Sequence, residues 1–99
     1  MKDIRNADTD ALFEAILSLE NKEECYKFFE DVCTLKELEA ISQRFLVARR
    51  LDEGKNYNDV SDDTGASSAT ICRVNKCLQH GNGYRIVLDR MKKAGENAK

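Results

Sequence analysis

The segment from Asn56 to Leu78 constrains the fold of this chain more than any other. It reads Asn-Tyr-Asn-Asp-Val-Ser-Asp-Asp-Thr-Gly-Ala-Ser-Ser-Ala-Thr-Ile-Cys-Arg-Val-Asn-Lys-Cys-Leu. Asn56 can cap a first helix, Gly65 can end it in the left-handed conformation, and Ser67 can cap a second helix. Two short helices broken by a tight turn are therefore predicted, which is the layout of a helix-turn-helix.

The side chains of this segment divide into a packing face and an outer face. Val60, Ile71 and Val74 fall where the two helices must pack on each other and on a core. The other side of the second helix offers small or polar side chains that could enter a major groove. The predicted base-edge contacts are Ser67, Ser68, Ala69 and Cys72, and the predicted contacts to phosphate or the groove edge are Asn58, Thr70 and Lys76. The alternative is an ordinary helical hairpin.

The whole sequence favours an all-α fold in one domain. The chain has 99 residues and no proline, and good helix formers recur throughout. The predicted parts are amino-terminal dimerisation helices at 8–33, a long central helix at 34–54, the helix-turn-helix at 56–80 and a carboxy-terminal helix at 83–94. No apolar run resembles a membrane span or a signal peptide, so a cytoplasmic protein is expected.

Capping signals place the first three helices. Asp8 or Asp10 can start the first helix, Asn21 the second, and the capping box Thr34-Leu-Lys-Glu37 the long third helix. The predicted apolar seam of the third helix is Leu35, Leu38, Ile41, Phe45, Ala48 and Leu51. Four of the seven aromatic residues lie between 13 and 29, so this part is expected to pack on the carboxy-terminal half or on a second subunit. The tail from Ala94 is predicted to be disordered.

Charge is distributed unevenly along the chain. The net charge is −2. Residues 1–33 carry four Lys/Arg against nine Asp/Glu, a balance of −5, whereas residues 64–99 carry seven against two, a balance of +5. The basic part could face phosphate while the acidic part faces solvent or a partner. Asp62 and Asp63, inside the helix-turn-helix, argue against DNA binding.

Neither a metal site nor an enzyme is expected. Positions five apart on a helix point in different directions, so Cys72 and Cys77 cannot converge on one ion, and no Cys-x-x-Cys occurs. The cysteines are expected to be reduced. The lone histidine, His80, has no nucleophile or paired carboxylates to make a catalytic group.

From Thr34 onward the chain resembles the tryptophan repressor family, in particular its YerC/YecD-type branch. The matching text is Thr-Leu-Lys-Glu-Leu-Glu-Ala-Ile-Ser-Gln-Arg44, then Gly54, then Gly65-Ala-Ser-Ser-Ala-Thr-Ile-Cys-Arg73, then Leu78. The resemblance implies a six-helix fold and an intertwined homodimer whose amino-terminal helices wrap about the partner. It also implies a recognition helix whose pose is set by a small amino-acid corepressor.

The resemblance further implies that Thr34, Arg44 and Arg73 line the ligand pocket. A guanidinium can hold a carboxylate bidentately, which suits such a ligand. Taken singly, each residue has another explanation: Thr34 as a helix cap, Arg44 as a solvated side chain, and Arg73 as a phosphate contact. Val74 stands where the repressor has a glycine, and Cys77 where it has a serine. A smaller amino acid such as histidine therefore competes with tryptophan, and so does no ligand.

The sequence thus predicts a dimeric, sequence-specific regulator that binds a double-stranded DNA operator. It is expected to be a repressor that responds to a small amino acid such as tryptophan or histidine and has no other cofactor. Two alternatives stay open: a DNA-binding regulator without an effector, and a helical protein-interaction module in which the helix-turn-helix is only scaffold.

Overall fold

The computed structural model describes residues 3–97, and these form six α-helices without a strand. The helices are α1 (Ala7–Leu17), α2 (Lys22–Val32), α3 (Leu35–Asp52), α4 (Tyr57–Thr64), α5 (Ser68–His80) and α6 (Gly83–Asn97). The predicted all-α class and the count of six helices are confirmed. Within the described range, every helix is too short or too polar to cross a membrane.

The predicted caps open α2 and α3. The side-chain oxygen of Asn21 accepts a hydrogen bond from the Glu24 backbone N–H at 2.9 Å. Thr34 and Glu37 form the reciprocal capping box, since the Thr34 hydroxyl accepts from the Glu37 N–H at 3.1 Å and the Glu37 carboxylate accepts from the Thr34 N–H at 2.8 Å. These bonds satisfy backbone donors that have no partner inside a helix.

Both outer ends of the helical region differ from the prediction. Asn6, not Asp8 or Asp10, caps α1 by accepting the Thr9 N–H at 2.8 Å, so the two aspartates lie inside its first turn. There their charge complements the amino end of the helix. At the other end, α6 continues past Ala94 to Asn97, where a disordered tail was predicted. Residues 98 and 99 lie outside the described range.

Contacts within the chain define two compact units, Met1–Leu38 and Glu39–Lys99. The first unit contains α1, α2 and the start of α3. Neither α1 nor α2 buries any residue within this chain, although the rings of Phe28 and Phe29 meet edge to face at 5.6 Å. The single domain predicted from the chain length stays a prediction.

The second unit has a small apolar core contributed by α3 to α6. Its buried members are Val47, Ala48, Val60, Ala66, Ile71, Val74, Leu78 and Leu88, with Phe45, Leu51 and Tyr84 packed against them. The seam predicted for α3 is wrong at Leu35 and Ile41, which are 73% and 45% exposed. Val47, absent from that seam, is fully buried. The α3 residues in this core all lie in the carboxy-terminal half of the helix. The buried face of α3 is therefore shorter than the apolar seam that was predicted along the whole helix.

Candidate DNA-binding surface

The helix-turn-helix forms with the caps that the sequence predicted. The Asn56 side chain accepts the Asp59 N–H at 2.9 Å at the start of α4, and the Ser67 hydroxyl accepts the Thr70 N–H at 3.2 Å at the start of α5. Gly65 ends α4 with φ of 72° and ψ of 7°, in the left-handed region. The three predicted boundary residues are confirmed, and the turn between the helices is only three residues long.

Side-chain hydrogen bonds that no local sequence pattern predicts hold the turn. Gln43 on α3 donates from Nε2 to the Thr64 carbonyl at 3.2 Å. The Ser61 hydroxyl donates to the Ala66 carbonyl at 3.1 Å, across the turn. The Thr64 hydroxyl donates to the Val60 carbonyl at 2.7 Å and accepts the Ala66 N–H at 3.2 Å. These bonds satisfy backbone groups that the break between two helices leaves open.

Buried side chains fix the rotation of α5 about its own axis. Ile71 and Val74 are 1% and 2% exposed, and Leu78 is also buried. Because these three residues hold one face of α5 in the core, the opposite face must point away from it. The exposed residues on that opposite face include Ala69, Cys72, Arg73 and Lys76. The predicted division of α5 into a packing face and an outer face is confirmed.

The predicted DNA-contacting residues are not equally available for a contact. Asn58, Ser68, Ala69, Cys72 and Lys76 are exposed. The Ser67 hydroxyl is exposed but is used in the cap and also donates to the Thr70 hydroxyl at 3.1 Å. Thr70 is half-buried. Ser67 and Thr70 therefore hold the first turn of α5 in place, and their hydroxyl groups are already engaged there.

Asp63, one of the two aspartates that argue against DNA binding, is neutralised by ion pairs within the chain. The Asp63 carboxylate lies 2.9 Å from Lys55 Nζ and 3.8 Å from Arg50 Nε. A hydrogen bond from Lys55 and its positive charge hold the pKa of Asp63 below its usual value. Asp63 thus links the end of α4 to the region where α3 ends. Asp62 is exposed.

The three residues implied as ligand contacts lie in both units. Thr34 is in the first unit, where it forms the capping box of α3. Arg44 on α3 and Arg73 on α5 are exposed side chains of the second unit. Both arginines act electrostatically on the phenol of Tyr84. Burial raises the pKa of Tyr84 above its usual value and Cys77 adds to the rise, while the two guanidinium charges oppose it.

A shallow apolar cavity of about 420 Å³ lies beside Tyr84 and Cys77 in the second unit. Its lining residues are Phe45, Cys77, Gly81, Gly83, Tyr84 and Val87. Of these, only Cys77 could be connected with a ligand from the sequence, because nothing in the spacing of Phe45 or Tyr84 distinguishes a cavity wall from an ordinary core position. Val74 is part of the core and is not among the lining residues.

An all-α chain with two capped helices, a three-residue turn and a second helix whose outer face is exposed has the layout found in the helix-turn-helix class of DNA-binding proteins. Residues 7–92 match the model of the Trp repressor protein family, and the chain belongs to that family. It is 50% identical over 90 residues to YerC, an uncharacterised protein of Bacillus subtilis strain 168, across 90% of this chain and 86% of that protein.

Solved structures agree with this family assignment. A crystal structure of a candidate Trp repressor from Staphylococcus aureus is 49% identical, with a TM-score of 0.86, and the match covers 90% of each chain. A TrpR-like protein from Eubacterium eligens ATCC 27750 is 48% identical, with a TM-score of 0.87 over 90% of this chain and 93% of the other. The predicted resemblance is confirmed, and membership of the family indicates a DNA-binding regulator.

Proposed function

We propose that the protein is a transcriptional repressor that binds a specific double-stranded DNA operator through α5. The observation that carries this proposal is the division of α5 into two faces. Ile71 and Val74 fix one face in the core, and the opposite face presents Ala69, Cys72 and Lys76 to solvent. A helix held rigidly on one side and free on the other is what insertion into a major groove requires.

The charge around this surface supports contact with phosphate. Asp63 is paired with Lys55 and Arg50, so two neighbouring cations offset its charge. Lys76 and Arg73 are exposed on α5. Asn58, in the first turn of α4, offers an uncharged polar side chain to the groove edge. Phosphate contacts of this kind position a protein on the duplex, whereas base contacts select the sequence.

A homodimer is the second part of the proposal. No residue of α1 or α2 is fully buried within the chain, and these helices expose large apolar side chains: Leu17 is 84% exposed, Tyr26 57% and Phe13 48%. Exposed apolar surface on this scale is typical of a protein interface. A symmetric dimer would carry two copies of α5 at a separation of about 34 Å, one helical turn of DNA, and would read a near-palindromic operator.

The third part is control by a small amino acid. Arg44 and Arg73 are exposed side chains of the second unit, and their charges favour a lower pKa for Tyr84, which is one wall of the apolar cavity. A carboxylate fits the guanidinium groups and a side chain fits the apolar wall. The ligand would favour the pose of α5 that binds DNA, which is a population shift between two poses. Thr34, in the first unit, stays a predicted ligand contact on the family resemblance alone.

The burial of Val74 favours a second candidate, a regulator that binds DNA without an effector. Val74 is only 2% exposed. Its branched side chain occupies core volume at the position where the resemblance places a glycine beside the ligand. The two candidates share the same DNA-binding surface and differ only in their response to amino acids.

Selection of DNA from a random pool tests the DNA-binding part. We expect the wild-type protein to enrich one near-palindromic sequence. Lys76→Glu should abolish binding to that sequence with the dimer intact, because it places a negative charge on the face that meets DNA. Lys93→Glu, an equal change of charge on α6, is the matched control and should bind much more tightly than Lys76→Glu. Equal loss in both variants, or no enriched sequence, would overturn the proposal.

Titration with each of the twenty amino acids separates the two candidates. A ligand that binds the folded protein raises its melting temperature. We expect one amino acid to raise the melting temperature and to tighten operator binding, and Arg73→Lys to weaken both effects since lysine cannot make the bidentate contact. Operator binding that is tight without any amino acid and unchanged by all of them would establish the effector-free regulator.

A further inference from the structure

The outer face of α5 carries one stripe of side chains along its axis. Ala69, Cys72 and Lys76 are spaced by three and four residues, so they lie one above another on the helix surface. All three are exposed. Within the described residues, neither the thiol of Cys72 nor the ammonium of Lys76 takes part in a hydrogen bond or ion pair of the chain. The stripe begins at the amino end of α5, the end that enters the groove most deeply in proteins with this motif.

The chemistry of this stripe differs between its two ends. Residues 68–72 read Ser-Ala-Thr-Ile-Cys. They contain no Arg, Lys, Asn or Gln, which are the residues that pair bidentately with guanine or adenine. The first two turns of α5 present the methyl group of Ala69 and the thiol of Cys72, which are small groups with little or no polarity. Lys76, the cation of the stripe, comes one turn later.

The hydroxyl groups near this end contribute little discrimination between bases. The Ser67 hydroxyl is engaged with the backbone and side chain of Thr70. Ser68 is exposed, but a hydroxyl both donates and accepts, so it can pair with any of the base edges. Apolar contact is the discriminating interaction that Ala69 and Cys72 can offer at this end. The one apolar group on a base edge in the major groove is the 5-methyl of thymine.

We infer that Ala69 and Cys72 read thymine 5-methyl groups, one each, in both halves of the operator. The inference rests on the proposed function and adds to it the bases that the protein selects. Ala69 packs its methyl group, and Cys72 its sulfur, against a thymine methyl, and both contacts remove apolar surface from water. Lys76 follows further along the groove and supplies charge to phosphate or to a base oxygen. The operator should accordingly hold thymines, not guanines, opposite the amino end of α5.

Replacement of thymine by uracil tests this inference, because it removes only the methyl group. The operator is the sequence enriched by the wild-type protein, and each thymine is replaced in turn, with binding measured by fluorescence anisotropy at fixed salt. We expect two positions in each half-site to lose affinity by about fourfold, the effect of burying one methyl group. The other thymines should show no loss.

Variants then assign each methyl group to a side chain. In Cys72→Ser, the loss of affinity on replacing thymine by uracil should vanish at one of the two positions of a half-site and persist at the other. In Ala69→Ser it should vanish at the other position instead. Gln79→Ala, at an exposed site on the same helix, is the control and should keep both penalties. An operator insensitive to uracil, or penalties that persist in both serine variants, would overturn the inference while DNA binding stands. Failure to enrich any DNA would overturn the proposed function and this inference with it.

Discussion

Arg85 on α6 donates a hydrogen bond to Asp52 at the carboxyl end of α3, with 2.7 Å between Nη2 and Oδ1. Lys92 lies 2.7 Å from the other oxygen of the same carboxylate. The Asp52 side chain is 11% exposed, whereas the side chains of Arg85 and Lys92 are 40% and 58% exposed. Because Arg85 and Lys92 are two helical turns apart, one carboxylate fixes α6 to α3 at two positions along its length.

We predict that Asp52→Asn destabilises the protein by about 1–2 kcal/mol, since it weakens two charge-assisted hydrogen bonds at a shielded position. Urea denaturation measures the change. Asp89→Asn is the matched control: Asp89 pairs with the same Arg85 at 3.1 Å but is 58% exposed, so its loss should matter little. Equal destabilisation by the two variants would show that burial of Asp52 does not strengthen the ion pairs.

The difference in stability between wild type and Asp52→Asn should decrease in acid. Hydrogen bonds from Arg85 and Lys92 hold the pKa of Asp52 below its ordinary value of 3.8. A carboxyl group whose pKa is lower in the folded state stabilises that state above its unfolded pKa, and the effect is lost as pH falls through the folded pKa. The stability gap between wild type and Asp52→Asn should therefore be constant at neutral pH and shrink below about pH 3.8. Urea melts across this range measure the gap, and a gap that widens in acid would contradict the prediction.

Gly65→Ala tests the backbone of the helix-turn-helix. Gly65 has φ of +72°, and a Cβ there would meet nothing within 4 Å. The cost therefore comes from the left-handed conformation alone, and we expect about 1–2 kcal/mol of destabilisation in thermal or urea unfolding. Gly83→Ala provides the comparison, because Gly83 lies at the start of α6 with an ordinary φ and equally open space. It should be neutral or slightly stabilising. A similar loss in both variants would exclude the conformational explanation.

The parts of the fold that depend on local chemistry could be predicted from the sequence. Caps act over three residues, so Asn21, Asn56 and Ser67 and the box from Thr34 to Glu37 could be found without any tertiary information. The same holds for Gly65, whose conformation few other residues adopt. The start of α1 was missed because Asn6, Asp8 and Asp10 are all good capping residues and their spacing does not choose between them.

The parts that depend on distant contacts could not be predicted. The seam of α3 was misjudged at Ile41 and Val47, since periodicity gives the apolar side of a helix but not which stretch of it meets the core. The bonds from Gln43 to Thr64 and from Lys55 to Asp63 join residues 21 and 8 positions apart, and no local pattern marks them. For the same reason Phe45 and Tyr84 were not recognised as walls of one cavity.

The exposed apolar side chains of α1 are candidates for the dimer interface. Leu17 is 84% exposed and lies on a helix in which no residue is fully buried within the chain. If this surface forms the dimer, Leu17→Lys places an ammonium group in an apolar interface and should weaken dimerisation by about thirtyfold or more. Sedimentation equilibrium should give twice the chain mass for wild type and a shift towards one chain mass for the variant. Glu14→Lys introduces the same residue at an exposed polar position of α1 and should remain dimeric. A wild-type protein with the mass of one chain, or a Leu17→Lys variant as dimeric as Glu14→Lys, would show that α1 does not form the interface.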